Sequence, residues 1–101
     1  MRVPEDAFIR ELLPEFVDTW INDMKQYQPL LQAKNADDLY RLAHTLKGSC
    51  YQFGIDEIAE LGIELMGYCK IQDWDKAAEM EPKILNMFID IKKLIESGAE
   101  L

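Results

Sequence analysis

The stretch His44-Thr45-Leu46-Lys47-Gly48-Ser49-Cys50-Tyr51-Gln52-Phe53-Gly54 contains the only histidine of the chain and decides its fold. It continues a helical pattern that begins upstream. On a helical wheel of about 100° per residue, its apolar side chains lie within about 60° of Leu39 and form one core-facing stripe. The members of this stripe are Leu39, Leu42, Ala43, Leu46, Cys50 and Phe53. His44 lies about 140° away and is therefore predicted to point outward from a packed helix.

The residues around His44 on this helix would leave room for a large anionic partner. Gly48 is predicted to lie inside the helix, where glycine costs about 0.5–1 kcal/mol relative to alanine. Its missing side chain would open an approach to the imidazole, and Lys47 would supply a mobile cation for phosphate charge. Each residue also has an ordinary explanation, since an exposed histidine can be simply solvated and a helix glycine can be a packing contact.

Four helical segments joined by short connections are predicted along the chain, over residues 5–32, 35–53, 56–70 and 73–96. Asn35 and Asp73 have the residue types of N-caps, and Gly54 is placed where glycine ends a helix. Short connections between four amphipathic helices predict an all-α fold, an up-down-up-down antiparallel four-helix bundle.

Three prolines predict local departures from regular helices, and one glycine predicts a contact between helices. Pro14 predicts either a short N-terminal helix that ends just before it or a kink, and Pro29 predicts a bend or an early end. Pro82 predicts a kink one turn earlier or a broken first turn in the last helix. Gly62 falls on the apolar face of the third helix, so we expect a close contact between helices there.

Length and charge exclude several classes of protein. At 101 residues the chain is expected to form one domain, residues 1–101, with 49% hydrophobic residues for its core. A formal net charge of −8 argues against nucleic-acid binding, which needs Lys and Arg to neutralise phosphates. No apolar stretch is long enough to span a membrane, and acidic residues interrupt any signal peptide, so we expect a cytoplasmic protein.

The remaining polar residues do not predict a metal site or a cofactor. One histidine and two cysteines without a Cys-x-x-Cys spacing provide no zinc-binding pattern. Cys50 and Cys69 are expected to be small core residues rather than a disulfide. No glycine-rich phosphate loop is present, so no ATP site is predicted.

The order His44, Lys47, Gly48 and Gly54 resembles the histidine-containing phosphotransfer (HPt) domain of two-component phosphorelays, and the similarity extends roughly from Ile9 to Ile95. The resemblance implies a phosphocarrier rather than an enzyme, with a short capping helix before the bundle. His44 would accept the phosphoryl group, Lys47 would compensate phosphate charge, and Gly48 would give access.

The resemblance also implies the partners. They would be receiver domains of response regulators or of hybrid histidine kinases, and the chain would be a monomer. Tyr40, Arg41 and Tyr51 surround His44 and are predicted contact residues for a receiver, although packing of the tyrosines and solvation of the arginine are alternatives.

One position departs from the family pattern. Many HPt domains carry a glutamine on the following helix that hydrogen-bonds and orients the histidine, and the aligned residue here is Met66. A thioether is only a weak acceptor, so the group that orients His44 is left open.

Two alternatives to a phosphocarrier stay open at this point. A helical-bundle module could bind a receiver or histidine kinase without transferring phosphate. Met66 supports this alternative, because it replaces the glutamine that would orient His44. A histidine kinase dimerisation domain typically has an acidic residue after its histidine, where this chain has Thr45. A metal-dependent or hydrolytic enzyme is not supported, because no second histidine or paired acids are apparent.

Overall fold

The structure is a computed structural model that describes the backbone of residues 7–97 and the side chains of residues 11–97. The described residues are almost entirely helical. A 3₁₀ turn, Met24–Gln26, joins the first two of the five helices, which are α1 (Ala7–Asp23), α2 (Tyr27–Gln32), α3 (Ala36–Gln52), α4 (Asp56–Ile71) and α5 (Trp74–Glu96). The backbone stays right-handed helical through that turn, so α1 and α2 together form the first of four helical segments.

These segments form the predicted four-helix bundle, which is confirmed. Helix α3 packs against α4, α4 against α5, and α5 against α1. The longest dimension is 40 Å, close to the length of α1 and α2 placed end to end at about 1.5 Å per residue. One continuous core fills the bundle, and its largest fully buried side chains include Tyr27, Phe88, Leu13, Leu39, Leu46 and Ile84.

The predicted ends of α3 are confirmed by their capping contacts. The Asn35 side chain accepts a hydrogen bond from the backbone N–H of Asp38, which satisfies one of the free donors at the helix start. Gly54 has a φ of 73°, a left-handed conformation that favours glycine. The helix that carries His44 is therefore held at both ends by local sequence.

The N-terminal segment differs from one of the two alternatives predicted at Pro14, the short separate helix. Helix α1 continues through Pro14, so the described residues contain no separate short capping helix, and the predicted start at Glu5 lies outside them. Leu13 and Val17, on either side of the proline turn, are both fully buried. Their burial holds both turns on the core and outweighs the loss of about 3 kcal/mol that an interior proline brings.

The other prolines also lie within helices. Pro29 is the third residue of α2, in the first turn, where a missing N–H leaves no helical bond unmade. Helix α5 begins intact at Trp74, because the Asp73 side chain accepts from the backbone N–H of Lys76, and it continues through Pro82. Of the two alternatives predicted for Pro82, the broken first turn of the last helix is therefore wrong.

Both cysteines are free and buried, as expected for core residues. Burial raises the pKa of the Cys50 thiol from 9.0 to about 12 and that of Cys69 to about 11. The neutral thiols therefore favour the folded state, and this contribution is fully present below pH 9 and is lost as the pH rises towards the folded pKa.

We expect the free energy of unfolding to fall between pH 9 and pH 10 by up to about 1.4 kcal/mol per pH unit for each cysteine. Urea unfolding at a series of pH values would measure this slope. The Cys50→Ala variant should retain about half of the slope, contributed by Cys69. Identical slopes for the variant and the wild type would contradict the assignment to Cys50.

Candidate functional site

His44 lies in the middle of α3 with its side chain exposed to solvent. The preceding residue, Ala43, is fully buried, so the helix turns its core face inward and the imidazole outward at this point. Among the described residues, none forms a hydrogen bond with the imidazole. A ring nitrogen of His44 is consequently accessible to a reacting group from outside the chain.

The space beside His44 is open because position 48 carries no side chain. Among the described residues, none would come within 4 Å of a Cβ atom built on Gly48, apart from its own helix backbone and chain neighbours. Gly48 is thus not a packing glycine, although it lies inside a helix where glycine is unfavourable. The ordinary explanation of a helix contact is excluded for Gly48, and free approach to the helix surface remains.

Gly62 on α4 has the opposite surroundings. A Cβ atom there would lie 3.1 Å from the backbone oxygen of Ala43, and 3.4 and 3.5 Å from the backbone nitrogen and Cβ of Lys47. The expected close contact between helices is confirmed. It fixes α4 against the turn of α3 that carries His44 and supports the base of the half-buried Lys47 side chain.

The three predicted contact residues have different environments. Tyr40 is half-buried and packs against the core edge, whereas Tyr51 is 45% exposed. Arg41 is exposed and forms an ion pair with Asp38 at 3.6 Å, on the surface of α3. The Tyr40 ring is therefore partly packed against the core, while Tyr51 and Arg41 present their side chains to solvent.

Met66 is half-buried and packs against the core cluster. The position where many members of the family carry a glutamine is therefore occupied by an apolar side chain that packs against the core. No described side chain provides the hydrogen bond to His44 that a glutamine would make.

Two residues of α4 near this face were not singled out from the sequence. The Lys70 ammonium lies 5.7 Å from the centre of the Tyr40 ring, and Ile63, next to Gly62, is 45% exposed. The packing of α4 against α3, with Gly62 close to Ala43, places them beside α3. The signal that could have found them was Gly62 itself, because a packing glycine identifies which turn of α4 meets which turn of α3.

A groove separates α1 from α3 on the other flank of α3. It has a volume of about 440 Å³, and stacked Phe16 and Phe53, with ring centroids 3.9 Å apart, line part of it. Thr45 and Ser49 also line the groove, so it runs beside the turn that carries His44 without including the imidazole.

No helix among residues 7–97 is long and apolar enough to cross a membrane. In that part of the chain, no three His, Cys, Asp or Glu side chains are grouped so that they could hold a metal ion.

Comparison with known families agrees with this geometry. The family model of the Hpt domain matches residues 11–96, which covers most of the chain. The chain therefore belongs to the Hpt domain family, and the resemblance described above is confirmed. Domains of this family are histidine phosphotransfer modules of two-component phosphorelays, and they interact with receiver domains and kinases. No curated protein and no solved structure matches the chain at a significant level.

Proposed function

We propose that this chain is a phosphorelay intermediate in which His44 accepts a phosphoryl group from a receiver-domain aspartyl phosphate and passes it to another receiver. The observation that carries the proposal is the exposed imidazole on α3 beside the open space at Gly48. His44 is also the only histidine in a chain that belongs to a histidine phosphotransfer family.

The proposed transfer needs only one nucleophile from this chain. The lone pair of an unprotonated His44 ring nitrogen attacks the phosphorus, while the other ring nitrogen keeps its proton. The bond between phosphorus and the aspartate oxygen breaks, and the carboxylate leaves with the electron pair. Transfer to the next receiver follows the same steps in reverse, with its aspartate carboxylate as nucleophile.

Lys47 is proposed to compensate the charge of the phosphoryl group. It lies one turn after His44, so its ammonium can reach the same side of the helix. Phosphoryl transfer depends mostly on positioning and on stabilising charge spread over the phosphoryl oxygens. The contact of Gly62 with the base of Lys47 supports this role, because it restricts where the lysine stem can extend.

The receiver is proposed to dock on the face of α3 formed by Tyr40, Arg41 and Tyr51. The exposed ring of Tyr51 supplies apolar surface on this face, and Ile63, which follows the packing glycine of α4, is exposed as well. Aromatic and arginine side chains commonly anchor protein interfaces, with polar residues around them. A receiver bound there would bring its aspartyl phosphate to His44 through the space at Gly48.

The test is incubation of the chain, as one 101-residue domain, with a panel of phosphorylated receiver domains. We expect phosphate on the chain that is labile in acid and stable in base, which is typical of a phosphohistidine. Tight binding of a receiver without any label from any donor would contradict the carrier function. That result would support the alternative, a non-transferring module, which Met66 favours because it cannot orient His44 by a strong hydrogen bond.

The Gly48→Ala variant should separate stability from function. A Cβ atom at this position meets no described residue of another element within 4 Å, so alanine should raise the free energy of unfolding by about 0.5–1 kcal/mol. The added methyl group would narrow the approach of a receiver, and we expect transfer to slow by about 10-fold, as a misplacement of under 1 Å can do. Urea unfolding and the rate of labelling by one receiver would measure both effects.

A more stable Gly48→Ala variant with an unchanged transfer rate would contradict the access role of Gly48.

The monomeric state is tested by light scattering at the concentration used for transfer. A dimer would contradict the predicted monomer, without changing the family of the chain.

A further inference from the structure

We propose that Tyr40, held in place by Lys70, positions the His44 imidazole for phosphoryl transfer. This inference rests on the proposed function of His44. It assigns the orientation of the ring to an aromatic and cationic contact across α3 and α4, at a site where no hydrogen bond to the imidazole exists among the described residues.

The first contact lies within α3. Tyr40 precedes His44 by one helical turn, and the two ring centroids are 6.5 Å apart with the ring planes 26° from parallel. Centroid separations of about 4.5–7 Å are typical of interacting aromatic rings. Because Tyr40 packs against the core edge on its inner side, its ring is a firm surface for the more exposed imidazole.

The second contact comes from α4. The Lys70 ammonium lies 5.7 Å from the centroid of the Tyr40 ring, within the distance of about 6 Å that a cation–π interaction requires. Lys70 forms no ion pair with the described residues, so its ammonium is not held elsewhere. The interaction ties the orientation of Tyr40 to the helix packed beside it.

This arrangement matters because an exposed imidazole can rotate about two side-chain torsions. Attack on phosphorus needs a ring nitrogen within about 3–3.5 Å of the phosphorus and aligned with the leaving oxygen. Met66 cannot hold the ring by a strong hydrogen bond. The stacked Tyr40 ring restricts the imidazole to fewer orientations, and Lys70 restricts Tyr40 in turn.

The first measurement is the proton NMR spectrum of the His44 ring in the full chain, where a single histidine makes the signals unambiguous. We expect ring-current shifts and nuclear Overhauser effects from Tyr40 in the wild type. Both should disappear in Tyr40→Leu, persist in Tyr40→Phe, which keeps the ring, and weaken in Lys70→Met. The matched control is Lys83→Met, because Lys83 is an exposed lysine of α5.

The second measurement is the rate of labelling by phosphoramidate, which needs no receiver and so excludes effects on docking. The imidazole lone pair attacks phosphorus, the P–N bond breaks, and ammonia leaves with the electron pair. Lys70→Met should slow labelling by about 2-fold to 5-fold, the value of an exposed cation–π contact expressed as a rate. Tyr40→Leu should slow it by at least as much, while Tyr40→Phe and Lys70→Arg should retain the wild-type rate.

The outcomes separate this proposal from the proposed function. Two results would overturn the positioning role alone. One is that the His44 ring signals in Tyr40→Leu equal those of the wild type; the other is that Tyr40→Leu is labelled at the same rate as a wild type that does accept phosphate. A wild-type chain that accepts phosphate from no donor would overturn the proposed function, and the positioning role for transfer with it. If Tyr40→Leu unfolds, Lys70→Met on the surface of α4 still decides the question. The proposal is overturned if both the His44 ring spectrum and the labelling rate of Lys70→Met equal those of the wild type.

Discussion

The His44→Gln variant is expected to carry no acid-labile phosphate after incubation with any phosphorylated receiver. Glutamine has a similar polarity, but its amide nitrogen is not a nucleophile because its lone pair is delocalised into the carbonyl. The loss should be complete rather than partial, since the chain has no second histidine to take over.

The loss would be attributable to chemistry, because the substitution should leave the fold intact. His44 is exposed and forms no hydrogen bond with the described residues, so its replacement should change the free energy of unfolding by less than about 0.5 kcal/mol. Thermal unfolding followed by circular dichroism would verify this.

The matched control is Lys83→Gln, which introduces the same side chain at an exposed position of α5 and should be labelled like the wild type. Label on His44→Gln at the wild-type rate would show that the phosphate is on another residue. Its chemistry would then identify the residue class, because a carboxyl phosphate is lost in base while a phosphohistidine is not.

The Gly62→Leu variant is expected to destabilise the bundle more than any other glycine substitution in α4. The first added atom would already lie 3.1 Å from the backbone oxygen of Ala43. A backbone atom in a packed helix cannot rotate away, so α3 and α4 must separate. We expect a loss of about 2–3 kcal/mol, which is typical of an overpacked core and corresponds to a decrease in Tm of about 10–20 °C.

The same substitution at Gly67 is the matched control, because both glycines lie in α4 and no other element in residues 11–97 approaches a Cβ at Gly67 within 4 Å. Gly67→Leu should gain about 0.5–1 kcal/mol from helix propensity alone. Urea unfolding of both variants would measure the difference. Equal stability of the two variants would mean that α3 and α4 do not meet closely at Gly62.

A transfer assay on Gly62→Leu would connect this packing to the site. Separation of the helices should displace the turn that carries His44 and Lys47, and labelling by a receiver should slow even at temperatures where the variant stays folded. Gly67→Leu, measured in the same assay, shows how much of any slowing comes from an added leucine on α4 without separation of the helices.

Much of α3 could be predicted because its signals are local. The Asn35 cap, the left-handed Gly54 and the apolar stripe between them act within a few residues of the chain, and the structure places each as expected. The start of α5 follows the same kind of signal, since the Asp73 side chain accepts a hydrogen bond from the backbone N–H of Lys76. The exposure of His44 needed only the helical period.

The N-terminal segment could not be predicted in the same way. Pro14 acts locally against a continuous helix, whereas the burial of Leu13 and Val17 acts through the whole bundle. A rule based on neighbouring residues gives only the cost of the proline and not the stabilisation from burial. The outcome depended on which one is larger, and the packing of α1 against α5 decided it.

By itself, the sequence determined that this chain is a bundle of amphipathic helices with one outward histidine, because caps, glycines and apolar periodicity act between near neighbours. Tertiary structure alone decided which residues of α4 meet α3. Gly62 brings the helices together at Ala43, and this contact aligns Lys70 with Tyr40 beside His44. Residues thirty positions apart share a surface only after packing has set the register of two helices, and no periodicity within either helix contains that register.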